Sequence, residues 1–179
     1  VDEDWRPLAF SGTGAVAAAP VVFAGYGIVT PGGGKAAPYD SYGDLDVGGK
    51  WVMVLRYLPE DIDREAARDM VLYADLRHKA AIAGRKGARG LIVVSGPNAR
   101  VKERLVRFTF DAVGGAAGAA AVSLSDAAAA RLLGHAGKDL KTLQDALDRG
   151  EPAKGFDIPG VTLEGRIDIR RQKRSGRNV

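Results

Sequence analysis

Cysteine is absent from the 179-residue sequence, so a disulfide framework, a thiolate nucleophile and a cysteine-based zinc site are all excluded. Histidine is scarce as well, with only His78 and His135. Hydrolytic zinc chemistry needs several nitrogen and oxygen ligands converging on each ion, usually with histidine among them. Neither histidine belongs to an H-E-x-x-H pattern, and both are expected at the surface, His78 on a helix and His135 in a glycine-flanked turn. No apolar run approaches the ~20 residues that span a bilayer, so no membrane span is expected. The start, Val1-Asp2-Glu3-Asp4, is acidic where a signal peptide would be basic. Its lack of methionine suggests a processed or excised fragment.

Phosphate-binding patterns are equally thin. Gly12-Thr13-Gly14-Ala15-Val16-Ala17 fits G-x-G-x-x-A, but Pro20 and a β-rich run follow where the dinucleotide fold needs a helix. A turn between strands is the expectation. Lys35, Lys50 and Lys138 follow glycines, yet none completes a P-loop. Ser95 lacks the G-x-S-x-G elbow of a nucleophilic serine, and Gly96-Pro97 after it is a turn signal.

What is present is a globular composition: 46% hydrophobic, 27% charged, with 24 glycines and 8 prolines for turns. The formal charge of +4 gathers toward the end, in Arg166, Arg170, Arg171, Lys173, Arg174 and Arg177. No aromatic residues interleave with that run, so it suits a solvated edge better than a nucleic-acid reader, and no nucleic-acid partner is expected.

Hydrophobic periodicity predicts an α/β domain. Residues 20–29 and 50–56 are rich in β-branched and aromatic residues and bounded by glycine and proline, as strands are; the second, nearly continuous in apolar character, should be central. From Arg64 to Arg85, Leu72, Leu76, Ala80 and Ala83 recur at helical spacing, with Arg77, Lys79, Arg85 and Lys86 mostly off that stripe. One amphipathic helix is expected, ended by Gly84 or Gly87, then a buried strand over Leu91–Val94 parallel to residues 50–56. Residues 98–118 suggest a long loop with a short strand at 106–110. Ala119–Leu124 suggests another strand, Ser125 an N-cap for a helix over Asp126–Leu133, and Lys138–Arg149 a further helix. Val161 to Arg170 alternates apolar and polar, as a strand with one wet face does. Residues 1–171 are expected to form a single domain and 172–179 an exit segment.

Loop aromatics supply contact area at low entropic cost, so Tyr39, Tyr42, Phe108 and Phe110 are candidate interaction residues, with a core role as the alternative. Asn98 and Arg104, in the long loop, join them.

Three segments together resemble the protease-associated (PA) domain of M28-family zinc aminopeptidases. They are Val21–Ile28 with Tyr39-Asp40-Ser41-Tyr42, the stretch Leu45–Arg56, and Lys79–Val94 with its Lys-Ala-Ala, Gly-Ala and Leu-Ile-Val-Val elements. Ala121–Ser125, the helix after Lys138 and the closing Arg177-Asn178-Val179 extend the resemblance to nearly the whole chain from Pro7. It implies a swivelling β/β/α fold with a mixed central sheet flanked by helices, a secreted or periplasmic parent, and a non-catalytic role in substrate access or protein contacts. The implied partners are a cognate peptidase domain and peptide or protein substrates. No cofactor is expected on this chain; the family's zinc would lie in a missing peptidase domain, and no residue here matches its ligands. The alternative is a small stand-alone hydrolase or nucleotide-binding α/β domain.

Overall fold

A computed structural model describes residues 3–31, 38–101, 105–109, 118–151 and 154–170. In chain order the elements are β1 (Trp5–Pro7), β2 (Gly14–Phe23), β3 (Val29–Thr30), β4 (Tyr39–Asp40), β5 (Trp51–Leu55), α1 (Arg64–Val71), α2 (Leu76–Arg85), β6 (Gly90–Val94), β7 (Ala120–Leu124), α3 (Asp126–Gly134), α4 (Leu140–Asp148) and β8 (Phe156–Ile167). Six strands form one sheet in the order β1-β7-β6-β5-β2-β8, while β3 and β4 form a separate small hairpin. β2, β5, β6 and β7 run parallel; β1 and β8 are antiparallel edges. The protein is an α/β domain, as the periodicity predicts, and its sheet is mixed.

β5 and β6 are buried along their whole length, and their residues divide between two apolar layers by strand alternation. Trp51, Met53, Leu55, Ile92 and Val94 face the layer holding Leu133 of α3 and Leu140 and Leu147 of α4. Val52, Val54, Leu91 and Val93 face the other, with Ala80, Ile82 and Ala83 of α2. The predicted parallel pairing is present, with Met53 opposite Ile92. The indole of Trp51 lies so close to Gly90, its cross-strand neighbour, that a Cβ there would come within 2.3 Å of the ring. Its Nε1–H donates to the carbonyl of Leu163 in β8, 3.0 Å away.

Several expected boundaries move. The helix expected over residues 64–85 is two helices, because the Asp75 carboxylate accepts from the amides of Arg77 and His78 and starts a new N-terminus. Leu72 falls in the break and is 77% exposed, whereas Lys79, expected mostly off the apolar stripe, is fully buried. The first predicted strand begins six residues earlier, at Gly14, and ends at Phe23. Beyond it the chain turns through Gly25 and Gly27 (φ +53° and +62°), and a Cβ on Gly27 would come within 2.6 Å of Val54. Residues 106–109 are not a strand: Leu105 and Val106 are buried, and the Val106 amide donates to Ser123 Oγ at 2.9 Å. The last strand starts at Phe156 and stops at Ile167. α3 and α4 lie where expected, capped by Ser125 and Asp139. The exit segment expected over 172–179 lies outside the described residues.

Candidate functional site

Open parallel sheets usually bind ligands beyond the carboxyl ends of their strands, in a crevice where the strand order reverses. Here the parallel strands β2, β5, β6 and β7 follow one another across the sheet without a reversal. Their carboxyl ends are filled by a polar network reaching in from α4. Tyr26, which follows β2, donates a very short hydrogen bond to the Asp148 carboxylate. Asp148, 4% exposed, also accepts from the Glu60 amide (3.2 Å) and from Asn98 Nδ2 (2.7 Å). Asn98 Nδ2 reaches Asp145 as well, at 2.8 Å, and the Asn98 amide donates to Gln144 Oε1 at 3.1 Å. The fit is tight enough that a Cβ on Gly96, just past β6, would fall 2.5 Å from that Gln144 oxygen. Burial and the hydrogen bond to Asp148 push the Tyr26 hydroxyl far above the usual tyrosine pKa.

Lys79 completes this end of the sheet. Its Nζ donates to the carbonyls of Leu55, Arg56 and Tyr57 at 2.8, 3.1 and 2.7 Å, and stands 5.8 Å from the centre of the Tyr26 ring. Three carbonyls match the three protons of an ammonium. Burial lowers the lysine's pKa, partly offset by Asp75. The arrangement ties α2 to the end of β5 and leaves the amine no room to meet a substrate.

A cleft of about 720 Å³ opens between residues 38–46 and the connection from α4 to β8. Leu45, Leu147 and Phe156 give it apolar surface, and Tyr39 and Tyr42 both line it. Tyr39 is half-buried, and burial raises its pKa. Tyr42 is 1% exposed, with Lys86 Nζ 5.1 Å from its ring centre and Lys86 in turn 3.7 Å from Asp40. Among the described residues the buried Tyr42 hydroxyl has no hydrogen-bond partner, and burial pushes its pKa up.

The sequence-derived interaction candidates therefore separate. Tyr39 and Tyr42 meet at the cleft; Asn98 is engaged in the α4 network; Phe108, 47% exposed, stands apart in the long loop. Arg104 and Phe110 lie outside the described residues. His135 is the C-cap of α3, and His78 is partly buried against Tyr73, their rings 5.3 Å apart. Among the described residues no group of three or more histidine, aspartate or glutamate side chains is placed to hold a metal ion, and no helix is long and apolar enough to cross a membrane. Sequence reasoning missed Lys79, Tyr26, Gln144 and Asp148. Lys79 had one usable signal, its place directly before Ala80 on the apolar side of α2; Tyr26 lies more than 100 residues from Gln144 and Asp148, and nothing local links it to them.

No family model matches the chain, and no curated protein matches it in sequence. Among solved structures, the aminopeptidase from Aneurinibacillus sp. strain AM-1 is similar over 76% of this chain, at 18% identity and a TM-score of 0.41. This chain spans 26% of that aminopeptidase, about a quarter of its length.

Proposed function

We propose that this chain is a PA-type accessory module of a secreted or periplasmic M28-type zinc aminopeptidase, and that it governs substrate access or protein contacts instead of cleaving bonds. One observation carries the reading: the carboxyl ends of the parallel strands, where an α/β enzyme would assemble its chemistry, are occupied by the chain's own Tyr26, Asn98, Gln144 and Asp148. The segments that carry the resemblance to PA domains form the buried frame, namely the end of β2, all of β5, and α2 with β6. The cleft between residues 38–46 and the α4–β8 connection, with Tyr39 at its wall, is the surface assigned to polypeptide. In this reading zinc and catalysis belong to a cognate peptidase domain.

The test compares the parent peptidase with and without residues 1–179 on dipeptide and long peptide substrates. Removal should lower cleavage of long peptides several-fold more than that of dipeptides. Equal cleavage of both classes by the two forms would remove the access role. Zinc retained by residues 1–179 alone, together with turnover, would overturn the non-catalytic assignment.

A further inference from the structure

The stretch Gly12–Ala17, set aside as a nucleotide motif, lines a cavity of its own. It holds about 250 Å³, beneath the amino ends of β6 and β7, and among the described residues Arg89 and Gly118–Ala120 also line it. The Gly12 amide is bonded to the Ala119 carbonyl at 2.9 Å, which fixes the two glycine-bearing segments side by side. Among the described residues lining it, only Thr13, Val16 and Arg89 bring side chains larger than a methyl group, so most of that wall is backbone.

Three observations bear on what such a cavity would hold. Among the described residues lining it, Arg89 is the single charged one and none is a carboxylate. Among the described residues no acid pairs with Arg89, whose backbone amide is already spent on the Lys50 carbonyl at 2.9 Å. Finally, β2 over residues 14–16 is paired with β8 on one edge, while its pairing with β5 begins only at Val21. In an antiparallel pair, alternate residues turn their amides away from the partner strand. The free edge of β2 therefore directs backbone donors to the side opposite β8, into the sector where Arg89 lies. An arginine with no carboxylate beside it among the described residues, lining a small concavity walled by polar backbone, has the chemistry of an oxyanion site.

We propose that this cavity binds a small oxyanion, a carboxylate or a phosphate, with Arg89 as its charged anchor. The site is independent of the accessory-module reading, because it lies at the opposite end of the parallel strands from the α4 network.

The test is an amide-resolved NMR titration of residues 1–179 with inorganic phosphate and, separately, with acetate, at ionic strength held constant with chloride. Saturable shifts centred on Gly12, Gly14, Gly118 and Ala119 are expected for at least one anion, and the tighter of the two identifies the source chemistry. Arg89→Gln should weaken that binding about tenfold or more, and Arg89→Lys should restore part of it, since a lysine keeps charge without the planar fork. Arg131→Gln, whose arginine pairs with Asp4 elsewhere, should leave binding unchanged. Arg89 is exposed, so its variants should keep the wild-type spectrum away from the cavity. Non-saturating shifts spread over the basic surface, or binding unaffected by Arg89→Gln, would overturn the proposal.

Discussion

Two tyrosines illustrate how differently a buried hydroxyl can act. Tyr26 donates to a buried carboxylate, so Tyr26→Phe leaves Asp148 short of a charge-assisted donor and should cost about 2 kcal/mol. Tyr42 is equally buried but its hydroxyl has no partner among the described residues, so Tyr42→Phe removes a desolvation penalty and should stabilise by about 1 kcal/mol. Urea unfolding midpoints of the two variants check both signs, and equal destabilisation would contradict the assignment of partners. At this scale the sequence was least legible. It marked Tyr42 as a loop aromatic with a core alternative, and the core alternative describes the ring better, although the residue also borders the cleft. Lys79 is expected off the apolar stripe because lysines on a helix are mostly exposed. Nothing local announces that three carbonyls at the end of β5 await its ammonium.

Elements were legible wherever burial on both faces or a strong cap enforced them. β5, β6, β7 and α3 lie within two residues of expectation, because apolar runs between glycines admit little else. The break between α1 and α2 was not foreseen, since Leu72 and Leu76 fit the helical stripe on either side of it. The decisive local residue is Asp75, and Asp75→Ala should cost about 1 kcal/mol by removing the cap of α2. Ile92, fully enclosed in the middle of β6, gives the contrasting case. Ile92→Ala should cost about 2 to 5 kcal/mol through lost burial and the cavity left behind. Chemical denaturation of both variants checks the ranking, and a near-neutral Ile92→Ala would refute a central β6. The strand expected at 106–110 failed for another physical reason: an apolar loop segment can be buried by a side-chain acceptor, here Ser123 Oγ, without a ladder.

For the whole molecule, the sheet curls until its first and last strands approach each other. Trp5 of β1 and Leu163 to Ile167 of β8 line one apolar cavity of about 170 Å³, together with Trp51 and Val122. That closure brings residues more than 150 apart around one cavity, which is why the α/β class could be read from periodicity and the curl could not. The same enclosure has a titration signature. Burial raises the Tyr26 and Tyr42 hydroxyls above the ordinary tyrosine value of 10.0, so the unfolded chain surrenders those protons first as the solution becomes alkaline. Their contribution is complete below pH 10.0 and is lost progressively above it. Thermal midpoints should be level in this respect up to about pH 9 and fall beyond pH 10, less steeply in Tyr42→Phe. A Tyr42→Phe profile parallel to wild type would contradict that sign.

The lysine that joins α2 to the last carbonyls of β5 has a consequence for the order in which the molecule opens. Amide hydrogens of α1, where only Met70 is buried, can exchange with solvent through small local fluctuations. Those of β5 and of the buried turn of α2 cannot separate without stripping an ammonium of its three acceptors inside an apolar layer. Their exchange is thereby coupled to global unfolding, and the slowest-exchanging amides of the protein should map onto β5, β6 and the Lys79 turn.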